Sequence, residues 1–518
     1  MTKQWLGSVV FLLLLVAGLT TPYVVAHAQS PILWTEPRVI PYLDPNTETP
    51  FLLADNNGGI HAFSSQKILG THEYVIVYNY WRRDTGWRKP VDVLLSPLFD
   101  EAHAPAAYLD HKGVIHLVFY GGHDVSANIY YSQVYAAEAA NADAWLPPVA
   151  IATGARPPIT VWIEGDAEDN LYVLFGGNPE GTAIYATESQ DGGDNWTLPE
   201  LVAATYSDTL WPYGLRMHYG ESGQLYATWV VLNRRAWGTT LYATTYDFTT
   251  RRWNDPVEVD HGIETGILGI QSPSLIEYDG DLFLMYDNGI PDQGVVRLIR
   301  RSSDGGRSWT EAIRPFSQHV GGNGPATFVI DSNHDLRVFF GQRTVGAVRD
   351  QIHGMWYSEW HSGTKSWGGV KYIVSGPLVQ DIDSDKGFDP SLARSAVSQG
   401  NLLMIVWRTD PGNGANGAWY SYTELDAPFY ALQALPTPEP VVRHAFPITA
   451  TLAPTTTDEE QLAALGIMPI AALPAVDQTH QPPQVRQLAN PAMPLLIGLV
   501  PVGFLVTMVL YRHSRRRY

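Results

Sequence analysis

Two residue markers recur along the chain in a common phase and divide it into repeats. The first marker is a proline that opens an apolar run, and successive copies lie 52 to 65 residues apart: Pro50, Pro105, Pro158, Pro212, Pro273, Pro325 and Pro390. The second is a tryptophan that follows a polar turn, with copies 51 to 58 residues apart: Trp34, Trp87, Trp145, Trp196, Trp253, Trp309 and Trp367. Because the two markers keep one phase, we infer a tandem array of one structural unit.

Within a repeat, short apolar runs alternate with turn residues. The repeat that opens at Pro158 has further runs at 171–175 and 183–187 and a fourth that starts at Trp196. Four short strands per repeat are typical of a propeller blade, so we predict an all-β chain with a seven-bladed β-propeller of four-stranded blades. Trp34 has no preceding proline strand and Pro390 has no following tryptophan. We therefore expect the N-terminal strand to complete the last blade and close the ring.

Two of the polar turns match the pattern S-x-D-x-G-x-[TSN]-W. They contain Ser189, Asp191, Gly193 and Trp196 in one copy, and Ser302, Asp304, Gly306 and Trp309 in the other. This pattern resembles the Asp-box, or BNR repeat, of the sialidase-like (neuraminidase) superfamily of propellers. The resemblance covers the propeller and implies a structural role, in which Asp accepts backbone N–H groups and Trp packs between sheets. The double glycines 121–122 and 176–177 resemble kelch repeats, which are the alternative family.

Both ends of the chain carry targeting signals. Residues 1–28 have a basic start, a short apolar run and a small-x-small motif at Ala26–Ala28, which indicates a signal peptide. The propeller is predicted over 29–427, a Pro/Thr-rich linker over 428–490, a transmembrane helix over 491–511 and a basic cytoplasmic tail over 512–518. The arginines of the tail favour an exported, single-pass type I protein of the cell membrane, with the propeller on the extracytoplasmic side.

Composition excludes several functional classes. The formal net charge of −19 makes nucleic acid an unfavourable partner, and the absence of Cys excludes disulfides and thiolate ligands. The histidines form no zinc-type pairing, so we predict no cofactor and no metal. Calcium is the one alternative, because Asp381, Asp383 and Asp385 are spaced as in a calcium loop, although the twelfth position is Leu392 rather than Glu.

Candidate ligand-binding residues lie in the loops that we expect on one face of the propeller, around its central channel. These residues combine arginines, carboxylates and an aromatic ring, a mixture suited to sugars: Arg156, Arg343, Arg408, Asp410, Arg234, Arg235, Trp237, His123, Asp124 and Asp287. The family resemblance implies three arginines that grip a substrate carboxylate, a nucleophilic Tyr activated by a Glu, and an Asp. No F/Y-R-I-P motif occurs, so among these only Arg156, Arg343 and Arg408 are proposed to converge, and the catalytic residues are left unassigned.

Three functional hypotheses follow. The first is a membrane-anchored, sialidase-like propeller of the cell surface that binds or hydrolyses extracellular glycans through its loop face. If it is an enzyme, it is expected to be a glycosidase. The alternative is a non-catalytic scaffold that docks a surface protein on the same face, and the third hypothesis is a sialidase in the strict sense. Three arginines converging above a Tyr–Glu pair would distinguish the sialidase, and a flatter surface would distinguish the scaffold.

Overall fold

The computed structural model describes the following residues: 32–68, 73–95, 101–123, 126–155, 160–177, 182–205, 209–262, 269–290, 294–320, 324–344, 352–377, 390–409 and 417–438. Within these ranges the chain is all-β apart from two 3₁₀ turns, Ala136–Glu138 and Ala142–Ala144. All of the described residues belong to the unit Met1–Pro440.

The strands follow one another in antiparallel sheets. After the short β1 (Arg38–Val39), a five-stranded sheet contains β2 (Phe51–Ala54), β3 (Gly59–Lys67), β4 (Tyr74–Arg82), β5 (Gly86–Trp87) and β6 (Val91–Leu95). An eight-stranded sheet contains β7 (Ala102–Leu109), β8 (Val114–His123), β9 (Ser126–Tyr135), β10 (Val149–Ala155), β11 (Val161–Gly165), β12 (Leu171–Gly177), β13 (Ala183–Ser189) and β14 (Glu200–Ala204).

The second half of the chain forms the remaining sheets. A five-stranded sheet contains β15 (Trp211–Tyr219), β16 (Leu225–Leu232), β17 (Gly238–Asp247), β18 (Arg252–Trp253) and β19 (Val257–His261). A nine-stranded sheet contains β20 (Gln271–Tyr278), β21 (Asp281–Ile290), β22 (Gly294–Ser302), β23 (His319–Val320), β24 (Thr327–Ile330), β25 (Leu336–Thr344), β26 (Ile352–His361), β27 (Ser366–Trp367) and β28 (Lys371–Pro377). The last sheet joins β29 (Pro390–Ser398), β30 (Leu402–Thr409) and β31 (Ala418–Glu424) to β1.

The prediction of seven four-stranded blades is wrong, because the described strands form a propeller of five hydrogen-bonded sheets. The sequence repeats mark successive hairpin units, whereas hydrogen bonds define a sheet. In the eight-stranded sheet, β10 pairs with β12 at Ala155 and Gly177 and so joins two consecutive units. In the nine-stranded sheet, β23 pairs with both β22 and β25 and joins two more. Units that the sequence markers separate are therefore fused in the folded chain.

The predicted membrane anchor lies outside the described residues. In the part of the chain that the structure describes, no helix is both long and apolar enough to cross a membrane. The signal peptide 1–28, the transmembrane helix 491–511, the tail 512–518 and most of the linker are not among the described ranges. These segments stay predictions from the sequence.

A central channel is enclosed by the first strand of each unit. These inner strands pack against one another in chain order, and the last of them returns to the first: β2, β7, β11, β15, β20, β24 and β29. The chain termini meet at the closure, where Arg38 and Val39 pair with Tyr420 and Trp419 of β31. This pairing supplies a hydrogen-bonded partner for a strand that would otherwise be an open edge.

In four of the units, one end of the inner strand is fixed by a turn of the same type. In each turn an Asp accepts backbone N–H groups from residues within the next four positions, as where Asp55 accepts from Asn57 at 2.8 Å and Gly59 at 2.7 Å. The same Asp accepts a side-chain donor six residues on, in the pairs Asp55–His61, Asp110–His116, Asp166–Tyr172 and Asp331–Arg337. These buried contacts satisfy the hairpin polar groups. We call this end of the molecule the hairpin face.

The two sharp turns identified in the sequence, at 189–196 and 302–309, have the same hydrogen-bonded geometry as each other. Asp191 accepts the Asn195 N–H at 2.9 Å, and Asp304 accepts the Ser308 N–H at 2.9 Å. The glycines at the second position after each Asp have φ of 94° and 87°, in the left-handed region that favours glycine. The Trp196 ring lies 5.0 Å from the Tyr131 ring of β9. The geometry of both turns is that of a structural element.

The chain after β31 crosses the hairpin face. Backbone N–H groups of Leu425, Tyr430 and Gln433 donate to carbonyls of Asn401, Gln399 and Asn56, at 2.8, 2.8 and 2.9 Å. Farther on, Pro436 packs so tightly on Gly113 that a Cβ there would lie 2.7 Å from its Cδ. We call residues 425–436 the strap. It connects turns from both sides of the ring closure.

Candidate functional site

The structure places the predicted ligand residues at several different positions. Arg156, Asp124 and Asp410 lie outside the described residues, and only the backbones of His123 and Arg343 are described, at the ends of β8 and β25. The convergence of Arg156 and Arg343 with Arg408 therefore stays a prediction. Arg408 itself lines the mouth of the central channel.

The remaining predicted residues are away from the channel lining. Arg234, Arg235 and Trp237 occupy the turn between β16 and β17, where the Arg235 guanidinium stacks 5.3 Å from the Trp237 ring. Asn233 Oδ1 holds this turn by accepting the N–H groups of Arg235 and Trp237 at 2.9 and 3.2 Å. Asp287 is buried within β21 and pairs with Arg297. None of these four side chains lines the channel cavities of the described structure.

Backbone irregularities shape the channel mouth, which lies at the opposite end of the inner strands from the hairpin face. The entries of five inner strands contain a residue with positive φ: Ala104, Gly214, Ser272, Gly324 and Leu392. Three of these are not glycine, and non-glycine residues in this region persist only where the surrounding structure holds them. The pairing registers of β7, β15, β20 and β29 shift beside them. Such shifts redirect the side chains that follow.

The mouth is a cavity of about 470 Å³ that contains three arginines. Arg216 and Arg394 follow the register shifts of β15 and β29, and Arg408 comes from the end of β30. The guanidinium carbons of Arg216 and Arg394 lie 4.8 and 5.8 Å from the ring centre of Trp162. Arg394 also stacks on Phe51 at 5.0 Å. The Trp162 ring therefore contacts both cations.

None of these cations forms an ion pair with a carboxylate of the described residues. Among the described residues, Arg394 has no carboxylate within ion-pair distance, Arg408 Nε has no hydrogen-bond partner, and Arg216 donates to its neighbour's carbonyl, Leu215 O, at 2.7 Å. Burial, and then the positive charge of Arg216, lowers the pKa of Arg394 to about 9 against the opposing charge of Glu48. Burial lowers the pKa of Arg216 to about 10. The mouth therefore has a positive potential that an anion would relieve.

Among the described residues, Glu48 is the carboxylate that lines the mouth. Its side chain reaches solvent in the channel, yet protein surrounds it on the other sides. That enclosure raises its pKa, against the opposing charges of His103, Arg394 and Arg408 and a hydrogen bond from the Ala104 N–H. Tyr213, whose side chain is 39% exposed, stands on the same rim. Together these two residues offer an acceptor for hydroxyls and a flat apolar surface.

Below the arginines the channel narrows to a second cavity of about 160 Å³, lined in part by His218. Burial lowers the pKa of His218 to about 4, and its Nε2 has no hydrogen-bond partner in the described structure. Burial also raises the pKa of Glu164, two residues after Trp162 on β11, to about 8. Burial therefore favours the neutral form of both groups.

Sequence reasoning missed Arg216, Arg394, Trp162 and Glu48. A signal was present for three of them, because Trp162, Arg216 and Arg394 each come four residues after a marker proline, at 158, 212 and 390. In these three units that position lines the channel cavities. Glu48 precedes its marker proline and has no such signal. Among the described residues, no group of three or more His, Asp or Glu is arranged to hold a metal ion, and the segment with Asp381 to Asp385 is outside them.

Comparisons with known proteins inform the fold. No family model and no curated protein matches the chain. Among solved structures, an ulvan lyase from a family of polysaccharide lyases is 12% identical with a TM-score of 0.50, covering 75% of this chain and 96% of that one. A lectin from Burkholderia pseudomallei is 15% identical with a TM-score of 0.48, covering 71% and 97%. An intramolecular trans-sialidase from Ruminococcus gnavus is 12% identical with a TM-score of 0.43, covering 78% and 100%. At these identities the likeness concerns the fold alone.

Proposed function

We propose that the channel mouth binds an acidic glycan, whose carboxylate or sulfate group is held by Arg216, Arg394 and Arg408. The observation that carries the proposal is the set of three guanidinium groups in one cavity of about 470 Å³, none of which forms an ion pair with a carboxylate of the described residues. Holding half-buried cations close together without an ion-pair partner is costly, and an anion that enters the cavity lowers that cost. Arginine forks match the planar geometry of carboxylates and the oxygens of sulfates.

The other residues of the mouth suit the sugar to which the anionic group is attached. Trp162 contacts the guanidinium groups of both Arg216 and Arg394, so this ring orients the cations. Tyr213 on the rim is available to stack against a sugar ring, and the Glu48 carboxyl can accept sugar hydroxyls. A concave, charged mouth favours this hypothesis over the scaffold hypothesis, which predicts a flatter surface.

The two targeting segments of the sequence indicate the cellular location at which the protein would bind such a glycan. We infer export and retention at the cell surface from the signal peptide 1–28, the apolar segment 491–511 and the arginines after it. The measurement is protease accessibility of an epitope tag after residue 29 and another at the C-terminus in intact cells. Digestion of the first tag alone is expected, and protection of the first tag would contradict this topology.

The binding test is a glycan array probed with the full chain in detergent. The array presents uronate, sialylated and sulfated oligosaccharides beside neutral ones, and aryl glycosides assayed in parallel report hydrolysis. We expect binding to acidic glycans alone, weakened about ten-fold or more in Arg394→Met and Arg408→Met, since a charge-assisted pair is lost in each.

The matched control is Arg307→Met, which removes an exposed arginine of the turn after Asp304, away from the mouth. This variant should bind as the wild type does. The proposal fails if a folded chain binds no acidic glycan, or if the two mouth variants keep wild-type affinity.

A further inference from the structure

A buried ion pair lies beside the mouth without lining it. Asp287 on β21 and Arg297 on β22 are each 1% exposed, and Arg297 Nη2 is 3.3 Å from Asp287 Oδ1. Burial raises the pKa of Asp287 to about 7 and lowers that of Arg297. Arg297 Nη1 has no hydrogen-bond partner in the described structure. A buried pair with an unsatisfied N–H group contributes little to stability, because a protein with well-packed apolar residues of similar size in its place is often as stable or more stable.

Arg297 of this pair contacts the part of the channel wall that adjoins Arg394. Its Nη2 donates to the carbonyl of Gly324 at 3.0 Å, and its Nε donates to Gln342 Oε1 at 3.0 Å. Gly324 in turn packs on Leu392, so closely that a Cβ at 324 would lie 2.5 Å from Leu392 Cδ2. Leu392 has φ of 54° and stands two residues before Arg394, inside the register shift of β29. The position of Gly324 therefore limits where Arg394 can point.

Asp287 of this pair contacts the part of the channel wall that adjoins Arg216. The Ser272 side chain hydrogen-bonds to the Asp287 carboxyl, and Ser272 itself has φ of 58°. The next residue, Pro273, lies against Gly214, where a Cβ would be 3.3 Å from Pro273 Cδ. Gly214 has φ of 66° and stands two residues before Arg216, inside the register shift of β15. One buried pair thus holds a left-handed residue on each side of it.

We propose that the Asp287–Arg297 pair is a positioning element that sets the separation of Arg216 and Arg394, and with it the preference of the mouth for an anionic group. The inference rests on the proposed function for its ligand but not for its geometry. The pair acts through Ser272–Pro273 and Gly214 on one side and through Gly324 and Leu392 on the other. A polar pair serves this purpose because its directional contacts fix both turns at once, which apolar packing does not do.

The test replaces the pair by apolar residues, so that no charge is left buried alone. The double variant Asp287→Leu/Arg297→Met is compared with Asp331→Leu/Arg337→Met, which removes the buried aspartate–arginine pair of the hairpin face. Two measurements are made on the full chain under conditions where all variants are folded. One is the dissociation constant for tetragalacturonate and for neutral cellotetraose, and the other is amide hydrogen exchange in peptides that cover 209–220 and 390–400.

We expect the Asp287→Leu/Arg297→Met variant to bind tetragalacturonate about ten-fold more weakly and to exchange faster in both peptides, with the hairpin-face variant unchanged in affinity. The single variant Arg297→Lys should also bind tetragalacturonate more weakly than the wild type, because a lysine keeps the charge and loses the forked contacts to Gly324 and Gln342. Wild-type affinity in Arg297→Lys, or wild-type exchange rates of the double variant in both peptides, would overturn the positioning role. If the wild type binds no tetragalacturonate, the proposed function loses support while hydrogen exchange still decides this inference.

Discussion

Replacement of Arg394 by methionine should make the protein more stable while it weakens binding. The Arg394 guanidinium has no carboxylate partner among the described residues and shares an aromatic support with Arg216. Its pKa is lowered from 12.5 to about 9. A depression of that size corresponds to about 5 kcal/mol of unfavourable free energy for the charged form. Methionine keeps most of the side-chain length without the charge.

The stabilisation expected from Arg394→Met is smaller than about 5 kcal/mol. The guanidinium keeps part of its surface in the solvent of the channel, which screens its charge, and its contacts with Phe51 and Trp162 would be lost at about 1 kcal/mol each. We therefore expect Arg394→Met to be more stable by about 1–2 kcal/mol, which for a propeller of this size corresponds to about 1–3 °C in Tm.

The pH dependence has a definite sign. At pH values below about 9 the arginine is charged in both the folded and the unfolded chain, so the full cost is present. As the pH rises above 9, the folded chain releases the proton first and the wild type gains stability. The advantage of Arg394→Met should therefore be largest at neutral pH and should shrink above pH 9.

The assay is thermal unfolding of the full chain followed by tryptophan fluorescence, with Arg337→Met as the matched substitution. Arg337 is also buried, but its guanidinium meets Asp331 at 2.5 Å and Glu359 at 3.3 Å, and its pKa is raised. Its loss strands buried carboxylates and should cost about 3–5 kcal/mol. The two identical substitutions thus have opposite expected signs. A lower Tm for Arg394→Met would refute the conclusion that the mouth arginines are uncompensated.

Three further outcomes are expected. Asp304→Ala should lower the Tm without changing glycan affinity, because Asp304 accepts hydrogen bonds from Ser308 and Ser302 within its turn. These contacts lower the pKa of Asp304 to about 2, so the wild type should lose the stability that they contribute only as the pH falls toward 2. A chain that ends at residue 427 loses the strap hydrogen bonds of Tyr430 and Gln433 and should unfold about 1–3 kcal/mol more easily in urea, whereas a chain that ends at residue 440 should match the full chain. Because burial holds the pKa of His218 at about 4, the wild type should lose stability as the pH falls from 6.5 to 4, and His218→Phe should lose less, as followed by Tm against pH.

The all-β architecture could be predicted because it is specified by local patterns. The marker prolines, the short apolar runs and the Gly-rich turns report strand periodicity and turn conformation, and both depend on residues close together in the chain. The two turns at 189–196 and 302–309 are such local structures, and their hydrogen bonds are those expected from their sequences. The number of sheets was predicted wrongly. It depends on pairings such as Ala155 with Gly177, between residues that no local pattern links.

The candidate site could be predicted only in part, for a related reason. Arg408 was identified because it ends a strand at the loop face, whereas Arg216 and Arg394 lie inside strands and were assigned to no loop. A register shift turns each of them into the channel, and such a shift is a property of the paired strands rather than of one segment. Asp287 was proposed as a ligand residue, yet the fold buries it against Arg297.

By itself, the sequence determined the class of fold, the repeat, the conformation of the sharp turns and the expectation of a sugar-suited face, since each follows from composition and short-range order. Only the tertiary structure decided how many sheets form and which cations share a cavity. It also decided which buried cations form ion pairs, as Arg337 does with Asp331, and which have no ion-pair partner among the described residues, as is the case for Arg394. The physical reason is that charge compensation depends on distances across the channel, between strands far apart in the chain, and those distances exist only after the inner strands have closed into a ring.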